Sequence, residues 1–470
     1  MNEKVAKALS YVDEKYVSAA AKRKKKAKRI LPMAAAAILA LAFLCNMPAI
    51  PMIVTAHAVA TASGSRQAQR PEQDDYDSSE AWYAALDRWQ KELSGTRDTA
   101  AAATADLSAF FTAGSAQFLS AEGSENRLWS PVNAYIGLAM LTELTAGESR
   151  DQILDLLGAS DTDTLRRQVS AVWESTYTDE KGNEMSILAN SLWLDKGLDY
   201  QKKAMDTLSY DYRASVYQGN LGTPKINRAI GAWVNNHTGG FVKSATANIS
   251  LPPETVLALY STIYFQSKWV NEFAARNNTQ DVFHAPDGDV TTTFMNKRLA
   301  TMYYYWGDKF SAVRMGLENG SAMWFILPDE GYTTADVLAD GQYMQMLLQQ
   351  GWENGKQMLV NLSVPKFDVK STIDLRGGLQ QMGVTDVFSR DSADFSAITG
   401  SIPVYLTSAN QTVRVQIDEE GVKAAAYIEF VGVGSAEPPD EIVDFVVDRP
   451  FLFAITRSSV PLFMGAVHQP

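Results

Sequence analysis

Helix-like and strand-like hydrophobic patterns occupy different parts of this chain, and their order limits the folds available to it. Helical spacing runs over residues 106–119, 130–144, 147–157 and 165–177, with Ser130 and Pro131 placed as a helix cap and first turn. Strand-like runs cover residues 186–195, 255–266, 322–327, 358–364 and 413–417, and several lack polar alternation, which indicates burial on both faces. Helices followed by strands predict an α+β domain over residues 106–470.

Cysteine usage limits how this domain is stabilised. Cys45 is the single cysteine, and it lies inside an apolar N-terminal run, so the rest of the chain cannot form disulfides. Stability must come from packing, for which a hydrophobic content of 46% and ten tryptophans are ample. Nothing in this pattern indicates a thiol enzyme or a cysteine metal site.

The N-terminal residues have the pattern of a membrane-directed segment. Residues 1–29 carry ten Lys/Arg against three Asp/Glu, whereas residues 30–64 contain no charged side chain. We therefore expect a basic cytoplasmic segment over 1–29 and a transmembrane anchor or signal segment over 30–59. Ala56-His57-Ala58 fits a small-x-small cleavage site, but the long basic region favours an uncleaved anchor. Either alternative places the following residues outside the cytoplasm.

The remaining chain is acidic, and it begins with a predicted linker. Subtracting the N-terminal charges leaves 32 Lys/Arg against 51 Asp/Glu, a net charge of −19 for residues 30–470. Such a domain is a poor nucleic-acid binder, because phosphate neutralisation requires clustered cations. Residues 60–105 have the composition of a linker, interrupted by one helical candidate over 80–93.

A segment near the C-terminus combines an acidic start containing a glycine with an alternating run. Gly421 follows Asp418-Glu419-Glu420, and from Val422 every second residue up to Phe430 is apolar or small. With a side-chain period of two, this set can face a core while most intervening residues face solvent. Residues 432–440 then have the composition of an exposed loop. The segment is a potential strand with a flexible tip, although an ordinary fixed strand would give the same pattern.

The residues that most enzymes need are missing. Outside the apolar N-terminal run the histidines are His237, His284 and His468, and their sequence contexts differ. Gly-x-Ser-x-Gly, His-Glu-x-x-His and Walker-type glycine loops are absent. We therefore expect no enzymatic activity, no cofactor and no metal.

An ordered series of motifs resembles one known family. The motifs are Asn126–Ala134 (NRLWSPVNA), Thr145–Ser149 (TAGES), Trp233–Thr238 (WVNNHT), Leu259–Trp269 (LYSTIYFQSKW), Val364–Phe367 (VPKF), Met382–Phe388 (MGVTDVF), Ala393–Ser396 (ADFS), Asp448–Phe453 (DRPFLF) and Pro461–Gly465 (PLFMG). From about residue 106 to residue 470 the chain thus resembles the serpins, a family of serine protease inhibitors. The resemblance implies helices packed on a large mixed β-sheet, with smaller sheets and an exposed reactive loop. One of these helices would lie across the main sheet.

The resemblance gives the alternating segment a role. In inhibitory serpins a protease cleaves the exposed loop as bait, and the upstream arm inserts into the main sheet as a new strand with the protease still acylated. The hinge implied here consists of Glu419, Glu420, Gly421, Val422, Lys423, Ala424, Ala425 and Ala426. No proline or charge lies on the face that would be buried, so the composition permits insertion and favours the inhibitory type.

The family spacing also predicts the cleaved bond. Counting fourteen residues past Gly421 places it at Ser435-Ala436, with Val433 or Gly434 as alternatives on the upstream side. A small or aliphatic residue there suits elastase-like or subtilisin-like proteases and disfavours trypsin-like ones, which require Arg or Lys. A Glu-specific protease directed by Glu437 is a less favoured alternative.

Four residues are implied to form the region where the sheet opens: Ser130, Asn133, Ser261 and Ser363. Serpins usually have Asn at the position of Ser261 and His at that of Ser363, as a hydrogen-bonded pair beneath the opening sheet. Serine at both positions predicts a shorter hydroxyl pair or one bridged by water. Asn133 also stands where Ser is common. These departures affect how easily the sheet opens, but they leave the fold intact.

The sequence therefore predicts a monomeric serpin that is anchored in a membrane through residues 30–59 or secreted. Its expected partner is an elastase- or subtilisin-like serine protease, and nucleic acid is not a partner. The alternative function is a serpin-fold binding module or protease substrate that does not inhibit, because a shared fold does not guarantee a shared function.

Overall fold

Helices from the first half of the chain pack against sheets to which the second half contributes most strands. The computed structural model describes residues 56–62, 76, 78–120, 123–180, 184–242, 249–318, 320–348, 352–422 and 441–470. Its helices are α1 (Ser79–Asp106), α2 (Ser108–Leu119), α3 (Pro131–Leu144), α4 (Gly147–Leu156), α5 (Thr162–Thr176), α6 (Lys202–Asp211), α7 (Pro224–His237), α8 (Thr334–Asp340), α9 (Gln342–Leu348) and α10 (Arg376–Gln381).

The described strands form three sheets. A six-stranded sheet has the order β1-β5-β4-β6-β14, with β3 beside β4; its strands are β1 (His57–Ala60), β3 (Thr178–Glu180), β4 (Glu184–Asp195), β5 (Ala214–Gly219), β6 (Leu257–Lys268) and β14 (Gly421–Val422). The two-stranded sheet pairs β12 (Phe367–Asp374) with β13 (Asn410–Ile417).

A nine-stranded sheet has the order β15-β11-β8-β9-β10-β16-β17-β2, with β7 beside β8. Its strands are β2 (Arg127–Trp129), β7 (Thr279–Ala285), β8 (Gly288–Trp306), β9 (Phe310–Gly316), β10 (Ser321–Pro328), β11 (Gly355–Pro365), β15 (Ile442–Val446), β16 (Phe451–Arg457) and β17 (Val460–Val467). β15 is an edge strand of this sheet and runs parallel to β11.

Burial along the strands follows their hydrophobic patterns. Strands β10 and β17 are buried at every position, which agrees with their apolar runs, whereas β12 alternates between buried and exposed residues. A second core beneath α7 is built around Trp193 and Trp233. The α+β class is confirmed, as is the arrangement of helices on a large mixed sheet with smaller sheets. Helix α7 packs against β4 and β6, as expected for the helix that crosses the main sheet.

The segment predicted as a linker is helical over much of its length. The short helical candidate at 80–93 belongs to α1, which continues to Asp106 and packs against α5. The Ala-rich run that we interpreted as linker composition extends the helix, because alanine has the highest helix propensity. The prediction of a linker across residues 60–105 is therefore wrong where α1 lies.

The predicted anchor or signal segment falls mostly outside the described residues. Its last residues belong to β1, which pairs antiparallel with β5, with Ala58 opposite Tyr217, so the segment cannot extend unchanged to residue 59. Ala56 is buried at the start of this strand. None of the helices in the described ranges is both long and apolar enough to cross a bilayer.

Candidate functional site

A turn centred on Asp418 connects β13 to β14. The Asp418 carboxylate accepts from Glu420 N at 3.0 Å and from Gly421 N at 3.2 Å, while Asp418 N donates to Gly421 O at 3.1 Å. Gly421 has a φ of +155°, and a Cβ at this position would lie 2.5 Å from the carbonyl oxygen of Ser267. Only glycine therefore fits where the chain leaves the turn and joins β6.

Backbone contacts hold this turn against the end of β6. Trp269 N donates to Glu420 O at 3.1 Å, and Phe273 N donates to Glu419 O at 3.0 Å. The indole Nε1 of Trp269 donates to Asp418 O at 2.8 Å, and its ring is almost completely buried. Three bonds from the segment that follows β6 thus hold the turn, and two of them hold the first hinge residues, Glu419 and Glu420.

The Glu419 side chain adds a charged contact. Its carboxylate lies 2.5 Å from Lys366 Nζ and 2.5 Å from Asn278 Nδ2. Burial acts to raise the pKa of Glu419, but hydrogen bonds from Lys366, the backbone and Asn278, with the charge of Lys366, together lower it below the ordinary value. Glu419 is therefore held as a carboxylate at neutral pH.

The buried face predicted for the hinge is observed at its start. In β14, Gly421 pairs with Lys268 and Val422 pairs with Ser267. The Val422 side chain is 4% exposed and belongs to the main core. The remaining hinge residues, Lys423 to Ala426, and the predicted bond Ser435-Ala436 lie outside the described residues.

A slot lies between β6 and β13 and extends to Val422 of β14. We define the slot as the cavity of about 780 Å³ that is lined by consecutive residues of both strands, together with Val422. β6 pairs with β4 along one edge and with β14 only at its end, while β13 pairs with β12. Among the described strands, none pairs with the remaining edge of β13. Two strand edges with free ladder positions thus border one cavity.

The start of α3 contacts both strands that border the slot. Asn133 Nδ2 donates to the carbonyl oxygen of Ser261 in β6 at 3.0 Å, and the Ser261 hydroxyl contacts the side-chain oxygen of Asn133. The same hydroxyl lies 2.7 Å from Asn190 Oδ1 on β4. Asn133 and Ser261 are therefore brought together beneath the sheet, as the resemblance implied.

Ser130 contacts the other border of the slot through a residue that the sequence interpretation missed. Ser130 N donates to Gln411 Oε1 at 2.7 Å, and Gln411 Nε2 donates to Ser130 O at 3.0 Å. The Ser130 hydroxyl donates to Leu462 O at 2.6 Å and so does not cap α3, contrary to the expected cap. Gln411 is the second residue of β13 and is buried. The available sequence signal was a polar residue shortly before an alternating apolar run.

Ser363 does not join this cluster. It lies in β11, opposite Asn296 of β8 and beside Val446 of β15, and its carbonyl accepts from Val447 N at 2.9 Å. The predicted pair of Ser261 and Ser363 is wrong, because β11 belongs to the nine-stranded sheet. Gln411, and not Ser363, supplies the polar contact on the far side of the slot.

The histidines lie in separate places. His237 Nδ1 is 2.7 Å from Trp233 O at the end of α7, and His284 Nδ1 is 2.8 Å from Asp289 Oδ1 in a hairpin. His468 Nε2 is 3.1 Å from the hydroxyl of Thr334. The geometry does not place any two of these three rings in one cluster.

Comparisons with known proteins agree with this geometry. A family model described as "Serpin (serine protease inhibitor)" matches residues 107–470. Alpha-1-antiproteinase S of Cavia porcellus is 27% identical over 357 residues, covering 74% of this chain and 85% of the relative. Plasminogen activator inhibitor 1 of Mus musculus is 27% identical over 374 residues, covering 75% and 89%.

A solved structure shares the arrangement. The crystal structure of a thermophilic serpin, tengpin, in the native state superposes with a TM-score of 0.68 at 25% identity, and the match covers 78% of this chain and 93% of tengpin. The family match spans the hinge, the slot and all the helices and strands given above except α1 and β1. The chain therefore belongs to the serpin family.

Proposed function

We propose that this protein is a suicide inhibitor of an elastase- or subtilisin-like serine protease, cleaved at Ser435-Ala436. The observation that carries the proposal is the slot, which starts where β14 already pairs with β6. A loop arm that entered the slot would form backbone hydrogen bonds with β6 on one side and with β13 on the other, since both strands have positions along the slot that are unpaired among the described strands. It would then lie about 4.8 Å from each of them, the usual spacing of neighbouring strands.

The covalent step uses the chemistry of the protease. Its catalytic serine would attack the carbonyl carbon of Ser435, and the amine of Ala436 would leave with a proton from the catalytic histidine. The acyl ester then joins the protease to the upstream arm. Insertion of that arm would displace the protease from the position in which water hydrolyses the ester. Val422 supports this route, since the first residue of the proposed buried face is already in the core.

A pair of matched variants tests the insertion step. Ala424→Arg introduces a charge on the face that would enter the core, whereas Ala425→Arg introduces the same side chain on the opposite face. The chain is incubated with pancreatic elastase or subtilisin and analysed on a denaturing gel. The wild type and Ala425→Arg should form a complex that survives denaturation, and Ala424→Arg should be cleaved without retaining protease.

Two results would contradict the proposal. If the wild-type chain is cleaved and the protease stays fully active, the chain is a substrate or binding module. If Ala424→Arg and Ala425→Arg give equal yields of complex, insertion does not follow the proposed face. Mass spectrometry of the released fragment identifies the cleaved bond, and a new N-terminus other than Ala436 would move the bait residue.

Export is part of this proposal, since the target would be an extracellular protease. It rests on the basic residues 1–29 and the uncharged run that follows them. Cell fractionation followed by N-terminal sequencing would distinguish an anchored chain from a secreted, cleaved one. Recovery of the intact chain from the cytoplasm would contradict both alternatives.

A further inference from the structure

Several large apolar side chains are exposed on one face of the sheet, next to the point where the reactive loop rejoins the fold. We define the loop-exit face as Tyr303 of β8, Leu359 of β11, and Ile442 and Val446 of β15. Tyr303 is 48% exposed, Ile442 59% and Val446 38%. On the same face, Asn361 Nδ2 donates to Asp444 Oδ1 at 2.8 Å between Ile442 and Val446. The face therefore combines large exposed apolar side chains with polar groups, which is the composition of many protein–protein interfaces.

Strand register places these side chains on one side of the sheet. Gln357 lies opposite Tyr303, and Leu359 of the same strand lies beside Ile442. Because residues two apart in a strand share a face, Tyr303, Leu359 and Ile442 point the same way. Their intervening neighbours, Met358 and Phe445, are buried on the opposite side.

The tyrosine is held in place by its surroundings. The rings of Tyr303 and Tyr305 stack with centroids 5.8 Å apart and planes at 24°, and Tyr305 in turn packs against Trp324 at 5.2 Å. A stacked aromatic loses little conformational freedom when a partner covers it, which is one reason why tyrosine is common at binding hot spots.

The chain returning from the loop is fixed beside this face. Leu359 N donates to Glu441 O at 2.9 Å, and the Glu441 carboxylate lies 2.6 Å from Lys356 Nζ. Ile442 comes seven residues after Ser435. Seven extended residues span at most about 25 Å.

That distance is short compared with a protease. A protease domain of about 200 residues has a radius of gyration of about 16 Å and hence a diameter of about 40 Å. Its cleft must also bind residues on both sides of the cleaved bond, which leaves only a few residues between the cleft and Ile442. The body of a protease that binds Ser435 is thus brought close to the loop-exit face.

We infer that the loop-exit face is a second contact surface for the target protease and contributes to its selection. The inference rests on the proposed inhibitory function. The matching surface on the protease is an apolar loop bordering the side of its cleft that binds the leaving-group residues. Contact there would slow dissociation of the initial complex and so raise the second-order rate constant for inhibition. It would leave loop insertion unchanged, because none of these residues borders the slot.

The double variant Tyr303→Ser/Ile442→Ser removes the most exposed apolar groups of the face. Tyr332→Ser is the matched control, because Tyr332 is 46% exposed and lies outside β8, β11 and β15. The second-order rate constant for inhibition is measured with pancreatic elastase and with subtilisin. We expect the double variant to be about tenfold slower with at least one protease, as for loss of a binding hot spot.

The conservative variant Tyr303→Phe should retain most of the rate, since it keeps the stacked ring. The stoichiometry of inhibition should stay unchanged in all variants. Rates within twofold of wild type for both proteases would overturn the inference. A dimer in sedimentation that the double variant abolishes would also overturn it, because a second copy would then occupy the face.

If the protein does not inhibit proteases, a different measurement tests the contact surface. If the wild-type chain forms no stable complex, the kcat/KM for cleavage of the loop is compared between wild type and the double variant. A tenfold loss there would support the contact surface without inhibition, and equal values would overturn it. Thermal unfolding of each variant identifies any that fold incorrectly, in which case Tyr303→Ser alone replaces the double variant.

Discussion

Replacing Gln411 with methionine tests the contact that joins β13 to α3. Gln411 is 7% exposed, and its side chain bonds both the N–H and the carbonyl of the fully buried Ser130. Methionine keeps a flexible side chain of similar length but satisfies neither group. The carbonyl retains its helix bond from Ala134 N at 3.1 Å, whereas the N–H is left without this acceptor.

The expected cost follows from these two groups. A buried donor without a partner costs about 1–3 kcal/mol, and loss of one further neutral hydrogen bond costs about 1 kcal/mol. The free energy of unfolding should therefore fall by about 3 kcal/mol. With an unfolding entropy of about 2.1 cal/mol/K per residue, the domain over residues 107–470 has about 0.8 kcal/mol/K, so Tm should fall by about 4 °C.

Calorimetry of wild type, Gln411→Met and Gln416→Met checks this value. Gln416 lies on the same strand and is only half-buried, so the control carries the same change without the contact to Ser130. If Gln411→Met lowers Tm by less than 1 °C, or by no more than Gln416→Met, the contact does not stabilise the fold and the reasoning is refuted.

The hinge provides two further predictions. The pKa of Glu419 is lower in the folded protein than its ordinary value. The ionised carboxylate therefore contributes its full stabilisation at pH values above the ordinary pKa, and this contribution is lost as the pH falls through the lowered pKa. Glu419→Gln should therefore flatten the acid-side fall in Tm, and an unchanged pH dependence would contradict this role. Gly421→Ala should lower Tm by several degrees, because the added Cβ would clash with Ser267 O. Gly377→Ala is the control and should not lower Tm, since a Cβ there meets nothing within 4 Å. Equal shifts in Tm would count against the close approach at Gly421.

Runs that are buried on both faces were the part of the fold that the sequence predicted best. Residues 322–327 lie within β10, because an apolar run without alternation is stable only inside a sheet. Residues 358–364 lie within β11, where buried residues alternate with partly exposed ones. The core-facing position of Val422 also followed from its period of two. In such segments the local pattern and the tertiary environment agree.

Contacts between distant segments were not predictable in the same way. The interpretation of Ser363 depended on its place in a motif series, but its neighbours are set by the pairing of β11 with β8 and β15. Gln411 and Ser130 are 281 residues apart, and neither shows in its local sequence that it meets the other. β1 was missed for a similar reason, since its partner β5 lies more than 150 residues further along the chain.

The position of β14 bears on how insertion would begin. Joining two distant segments costs loop-closure entropy before the first contact forms, but here Gly421 and Val422 already pair with β6 at the end of the slot. An arm entering the slot would therefore lengthen an existing ladder, and each further residue adds bonds without a new closure cost. The resistance to insertion must then come mainly from the slot borders, where α3 contacts β6 through Asn133 and β13 through Ser130. Substitutions at these borders should thus change the rate of insertion more than substitutions in the docked part of the hinge.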